Sequence, residues 1–211
     1  MKSSTLLRML LAMVALTAST GITAATPGAI RFRTLQTADG LSNNDINCIF
    51  KDSHGFVWIG TASGLDRYDG YSIRIFHSQR PDSTALRDNY VQHIEEDAWG
   101  NLWIQAGNSY SIFDPRTERF VWLDGREARR RGLPGEPTSA TVDGDYIWYT
   151  VDNRRLFRQS GNGRPQEIRI PGLKADISDV KIFPGDRQVA LADRLGNVTI
   201  IDATSGKTRL R

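Results

Sequence analysis

Residues 52–60 read DSHGFVWIG and residues 97–105 read DAWGNLWIQ, so Asp52 and Asp97, Gly55 and Gly100, and Trp58 and Trp103 are each 45 residues apart. The same offset pairs Leu41 with Leu86, Asn44 with Asn89, Ile46 with Val91, Ile49 with Ile94 and Asp69 with Asp114, and it places Trp148 one step further on. A period of this length with strand-like contents marks a repeat architecture, in which each unit buries its faces only against its neighbours. The pattern predicts an all-β protein, a β-propeller of about four 4-stranded blades at residues 41–79, 86–123, 138–170 and 176–211.

Within the first unit, strands are expected near 46–51, 56–61, 65–68 and 72–76, separated by DSHG, ASG and DG. Each break has suitable turn chemistry: Gly supplies a positive φ, and Asp hydrogen-bonds its own backbone. Asp52, Gly55, Trp58, Asp97, Gly100, Trp103 and Trp148 are therefore read as structural, the turn residues tightening a hairpin and the indoles filling the gap between blades. No long helix pattern follows the N-terminal segment. A strand over IRFRTL, residues 30–35, is expected to help close the ring, because an unpaired sheet edge recruits other chains. The last unit stops as its fourth strand begins, so residues 26–211 read as the front part of a larger propeller.

The segment MKSSTLLRMLLAMVALTASTGITAATPG combines a basic start (Lys2, Arg8), a short apolar stretch from Met9 to Ala18 and small residues at a cleavage site near Ala24 or Ala25. This is the pattern of a secretory signal peptide over residues 1–25, and its apolar run is too short for an ordinary membrane-spanning helix. Formal net charge is +3, and removing Lys2 and Arg8 leaves +1 (3 − 2), too little to suggest a nucleic-acid partner. Cys48 is the only cysteine, so no intrachain disulfide exists; it is expected to act as a small buried hydrophobe.

The string LQTADGLSNNDINCIFKDSHGFVWIGTASGLDRYDGYSIRIF, residues 35–76, resembles the two-component regulator propeller repeat: GLS, an alternating strand, D-x-x-G-x-x-WIGT, then GL-x-RYDG. LRDNYVQHIEEDAWGNLWI resembles the start of a second repeat, although WIQAGNSYSIFD departs from the pattern there. The resemblance implies the exported, periplasmic sensor region of a hybrid two-component histidine kinase, one that recognises a small ligand such as an oligosaccharide and signals across the inner membrane. It implies a homodimer of the parent protein and membrane attachment through the parent or an uncleaved leader. Related propellers are joined to diguanylate cyclases instead. No kinase module lies in this chain, so it is expected not to be an enzyme itself. The alternative is a stand-alone propeller, either a glycan-binding module or a polysaccharide lyase or glycosidase.

No residues point to a cofactor. His54, His77 and His93 are irregularly spaced and show no metal-ligand pattern, and no nucleophile or phosphate-loop motif is present. The charge run GREARRRG, residues 125–132, reads as a solvated inter-blade loop, with a contact to an acidic saccharide as the sharper possibility. Ligand contacts are expected on the loops that precede each innermost strand and on those joining second to third strands. These hold Asn43, Asn44, Ser63, Asn89, Tyr90, Asn108 and Tyr110, whose amides and aromatic faces suit a sugar.

Overall fold

The computed structural model describes residues 32–210 apart from 162, 171, 184–186 and 206, so the expected leader lies outside the described residues. Among them, sixteen strands form four antiparallel sheets, each with its four strands in chain order. Blade 1 holds β1 (Ile46–Lys51), β2 (Val57–Thr61), β3 (Leu65–Tyr68) and β4 (Ile73–Phe76). Blade 2 holds β5 (Val91–Glu96), β6 (Leu102–Ala106), β7 (Ser109–Asp114) and β8 (Arg119–Trp122). Blade 3 holds β9 (Pro137–Asp143), β10 (Tyr146–Val151), β11 (Arg155–Ser160) and β12 (Gln166–Ile168). Blade 4 holds β13 (Ile177–Phe183), β14 (Gln188–Asp193), β15 (Val198–Asp202) and β16 (Thr208–Leu210). The first strand of each blade is innermost, where β1 meets β5, β5 meets β9 and β9 meets β13. This is the four-bladed propeller architecture that the repeat predicts.

Period-2 alternation gives each sheet two apolar faces, and each face needs a neighbour. Trp58 and Leu65 of blade 1 pack with Leu102, Ile104 and Phe113 of blade 2. Trp103 and Ile112 of blade 2 pack with Ile147, Tyr149 and Phe157 of blade 3, and Trp148 and Leu156 of blade 3 pack with Val180, Val189 and Leu191 of blade 4. Among the described residues these are the three inter-blade cores. Ile49, on the side of β1 away from blade 2, stays 68% exposed. Cys48 belongs to the first core, and burial lifts its thiol from 9.0 to about 11, so it stays protonated and inert near neutral pH.

The repeated Asp-x-x-Gly segments close their turns in one way. The N–H groups of His54 and Phe56 donate to Asp52 Oδ1 at 3.0 and 2.9 Å, while Trp58 Nε1 donates to Oδ2 at 2.7 Å. Around Asp97 the corresponding bonds come from Trp99 and Asn101 at 3.0 and 2.9 Å and from Trp103 Nε1 at 3.3 Å. Gly55 and Gly100 sit at φ of 92° and 79°, a region that a Cβ disfavours. The DRLGN segment repeats the turn at Asp193, but between β14 and β15, not between first and second strands. Trp58, Trp103 and Trp148 occupy one register position in the second strands of their blades; in blade 4 that position is Ala190.

Two expectations are corrected. Residues 32–36 form no strand, with 30 and 31 outside the described residues; Gln36 and Asp39 instead cap a 3-10 turn over Thr37–Asp39. The charge run is not an irregular loop: Gly125–Arg130 form a short helix, α1, because the Asp124 side chain accepts from the N–H groups of Arg126 and Glu127. Its Ala128 is buried in the core between blades 2 and 3.

Two outcomes follow from the turns. Asp52→Ala strips the acceptor from three donors, including a buried indole N–H, and is expected to cost ~2–3 kcal/mol in urea unfolding, more than Asp97→Ala with its longer indole bond. Backbone N–H bonds, from Ser72 to Asp69 and from Ser205 to Asp202, hold both carboxyls down at about 2 against 3.8 when free. A folded value below the unfolded one stabilises above the unfolded pKa and is lost as pH falls through the folded one. The urea midpoint should therefore hold above about pH 5 and fall steadily below it.

Candidate ligand-binding face

Loops entering the innermost strands and hairpins joining second to third strands emerge at one end of the blades. In blade 1 they are tied together: Asn43 Nδ2 donates to Ser63 Oγ at 2.8 Å, and His77 Nδ1 donates to the Ser63 carbonyl at 3.0 Å. Asn44 Oδ1 accepts from Thr37 N at 2.8 Å. Beneath them, Asp66 Oδ2 accepts from Ser42 N and Ser42 Oγ at 2.9 and 3.0 Å, and Ser42 Oγ lies 2.8 Å from Thr61 Oγ1. This network explains the Ser of GLS, the Thr of WIGT and the Asp of GLDRYDG as one latch. Asp66 is fully buried, its Oδ1 has no partner among the described residues, and burial raises its pKa against the pull of Ser42.

In blade 2, Asn89 Oδ1 accepts from Ser78 N at 2.7 Å, and Tyr90 keeps an exposed ring while its carbonyl accepts from Gly107 N at 2.8 Å. Asn108 is exposed at the β6–β7 turn. Tyr110 is placed differently from the expectation. It is 2% exposed in the core between blades 2 and 3, donating to Gln105 Oε1 at 3.3 Å and accepting from Ala140 N at 3.0 Å. Burial drives its phenol far above the usual range. The cause is the short turn: only Gly107 and Asn108 join β6 to β7, so Tyr110 already lies within a strand whose two faces are both buried.

A cleft of about 420 Å³ opens at this end where blades 2, 3 and 4 meet, lined by Gln105, Asn108, Thr138, Asn153, Ser178 and Arg194 above Ile177. Of the expected residues only Asn108 lines it; Asn43, Asn44, Ser63, Asn89 and Tyr90 do not. Asn153 lies 45 residues beyond Asn108, as Asn108 lies 45 beyond Ser63, so the repeat itself carried this signal. Asp152 and Asn153 both take a φ of 54°, which suits Asx side chains in a tight hairpin, and the Asn153 carbonyl accepts from Ile177 N at 2.6 Å. The Tyr110 hydroxyl occupies Gln105 Oε1, leaving the amide NH₂ of Gln105 to face the cleft. Arg154 Nε donates to Asp176 Oδ1 at 2.8 Å and steadies the rim. Amides, hydroxyls and one guanidinium over an apolar floor can bind a polar ligand. No carboxylate among the described residues lines the cleft, and no group of three possible metal ligands clusters among them.

Tyr110→Phe removes the acceptor from the buried Ala140 N–H and frees Gln105. A loss of ~1–3 kcal/mol in urea unfolding is expected, with unchanged secondary structure by circular dichroism.

Residues 40–63 match the model of the two component regulator propeller. Histidine kinase P4 of Formosa agariphila is 34% identical over 55 residues, which are 26% of this chain and 4% of that protein. The extracellular domain assigned to the hybrid two component system BT3049 of B. thetaiotaomicron superposes with a TM-score of 0.65 at 18% identity, covering 85% of this chain and 26% of that one. The extracellular domain assigned to the one component system BT4673 of the same organism gives 0.57 at 21% identity, covering 85% and 27%. Virginiamycin B lyase of Staphylococcus aureus, in a catalytically inactive His-to-Ala form with quinupristin, gives 0.56 at 21% identity, covering 80% and 56%. The chain thus spans about a quarter of the two extracellular domains and a small fraction of the kinase. The match at residues 40–63 falls within blade 1, where the chain is similar to the two component regulator propeller.

Proposed function

We propose that this chain is part of the exported, ligand-sensing propeller of a hybrid two-component receptor. Its ligand is an oligosaccharide, read at the loop end and signalled across the membrane by a dimeric parent protein. The observation that carries this reading is the cleft of Gln105, Asn108, Thr138, Asn153, Ser178 and Arg194, because its lining comes from three blades. A sugar bridging three blades would favour one blade arrangement over another, and a receptor needs such differential affinity for two states. The likeness to extracellular domains of two-component systems supports the setting. The chain itself would bind and not catalyse.

A second reading, a propeller lyase, rests on the axis. There His93 Nε2 lies 2.7 Å from Glu95 Oε1 and 3.3 Å from Lys181 Nζ, in a cleft of about 630 Å³. A histidine held by a carboxylate beside an amine can serve as an acid–base group, and virginiamycin B lyase shares the propeller fold.

Calorimetric titration with a panel of neutral and acidic oligosaccharides separates the two. The sensor reading expects saturable binding of an unchanged sugar, weakened about tenfold or more by Asn108→Ala with Asn153→Ala. Binding indifferent to both substitutions would sink it. Progressive loss of the sugar, abolished by His93→Ala, would favour the lyase.

A further inference from the structure

At the other end of blades 2 and 3 lies a separate pocket of about 220 Å³, roofed by the segment that follows α1. Ile112, Leu133 and Ile147 give it apolar lining, with the indoles of Trp99 and Trp103 beside them and Tyr149 buried behind. Unlike the loop-end cleft and the axis, it needs no blade beyond these two.

Most polar groups in its wall are already committed. The Asp97 carboxylate accepts from Trp99 N, Asn101 N and Trp103 Nε1. Gln159 Oε1 accepts from the Tyr149 hydroxyl at 3.1 Å, and Gln159 Nε2 donates to the Gly161 carbonyl at 3.1 Å. Arg131 is the exception. Its Nε donates to Glu127 Oε1 at 3.0 Å, and its two terminal amino groups have no acceptor among the described residues. The hydrogen-bond donors left open at this pocket are therefore those of a guanidinium, which Glu127 pairs on one side.

Trp99 is 52% exposed, and the turn does not require an indole there: His54 and Leu195 occupy the same place in the other Asp-x-x-Gly turns. Its ring stands against Gly161, where a Cβ would come within 2.7 Å of Cζ2. The ring is thus held as a wall by a glycine, with one side open to solvent. The partly open space of about 220 Å³ has room for one small ring.

We propose that this pocket binds a small planar carboxylate of the aromatic-acid type, its ring against the exposed indole of Trp99 and its carboxylate on the two terminal amino groups of Arg131. Guanidinium matches carboxylate in a two-point fork, and a charged anchor beside an aromatic wall fixes orientation. The site is independent of the receptor reading and of the loop-end cleft.

Benzoate and its uncharged isostere benzamide, titrated into the full chain and followed by ligand-observed NMR, test it. Saturable one-site binding of benzoate is expected, with benzamide about tenfold weaker. Arg131→Gln should bring benzoate down to the level of benzamide, and Trp99→Ala should weaken both ligands. Both side chains are at the surface, and melting curves check that the variants fold; if Arg131→Gln melts early, Arg131→Lys, which keeps the charge but loses the fork, replaces it and should still bind benzoate several-fold more weakly. Absence of saturation by about 10 mM, equal affinity for the two ligands, or indifference to the Arg131 substitutions would overturn the proposal.

Discussion

A carboxylate with two oxygens does two jobs at the Asp-x-x-Gly turns. One oxygen of Asp52 gathers backbone N–H groups and sets the hairpin between β1 and β2; the other holds the indole of Trp58. The same side chain therefore fixes the turn and aims the residue that fills the gap to the next blade. Trp58 then meets Phe113 edge-on at 5.2 Å and lies 5.8 Å from Phe76, so the local turn becomes an inter-blade contact. Blade 3 keeps the indole without this turn: its hairpin is reduced to Gly144 and Asp145, and Arg158 stands over Trp148 at 5.5 Å as Arg67 stands over Trp58 at 5.7 Å. Burial holds the tryptophan in place even where its hydrogen bond is given up.

At the axis the blades are joined by polar side chains. Asn47 Nδ2 donates to the Val91 carbonyl at 2.9 Å, Thr141 Oγ1 donates to Glu95 Oε1 at 3.1 Å, and Ser139 Oγ donates to Asp179 Oδ1 at 3.3 Å. Each bond crosses from one blade to the next. Apolar packing between faces is non-directional, whereas these bonds have fixed lengths and angles, so they set how far one blade rotates against another.

The fold was legible because a turn residue, a positive-φ glycine and a bulky filler recur together, and few architectures need all three at one spacing. The candidate face was legible only in part. Asn108 follows from its turn, and Asn153 follows from Asn108 by the same offset, yet the departure of the second repeat from the family pattern hid the correspondence. Tyr110 was misplaced because the turn before it holds only two residues, so its ring already belongs to a strand buried between two blades. Trp99 sits in a repeated turn and so reads as part of it; its exposure became evident only once Gly161, from another blade, stood beside it. The helix at Gly125–Arg130 was obscured by its own charges, since four arginines in a row of eight residues suggest solvent before structure.

Local physics determined the blades. Alternating apolar residues, Asx turns and glycines act over a few residues, and their period is written in the chain. The sequence alone thereby settled an all-β propeller and the places of the strands in its first blade. Which polar groups converge was decided by tertiary structure, because Gln105, Asn153 and Arg194 meet only when three separate sheets pack, and Trp99 and Arg131 meet only across the join of two. Those distances depend on how the sheets are rotated about the axis, a quantity set by contacts between residues dozens of positions apart.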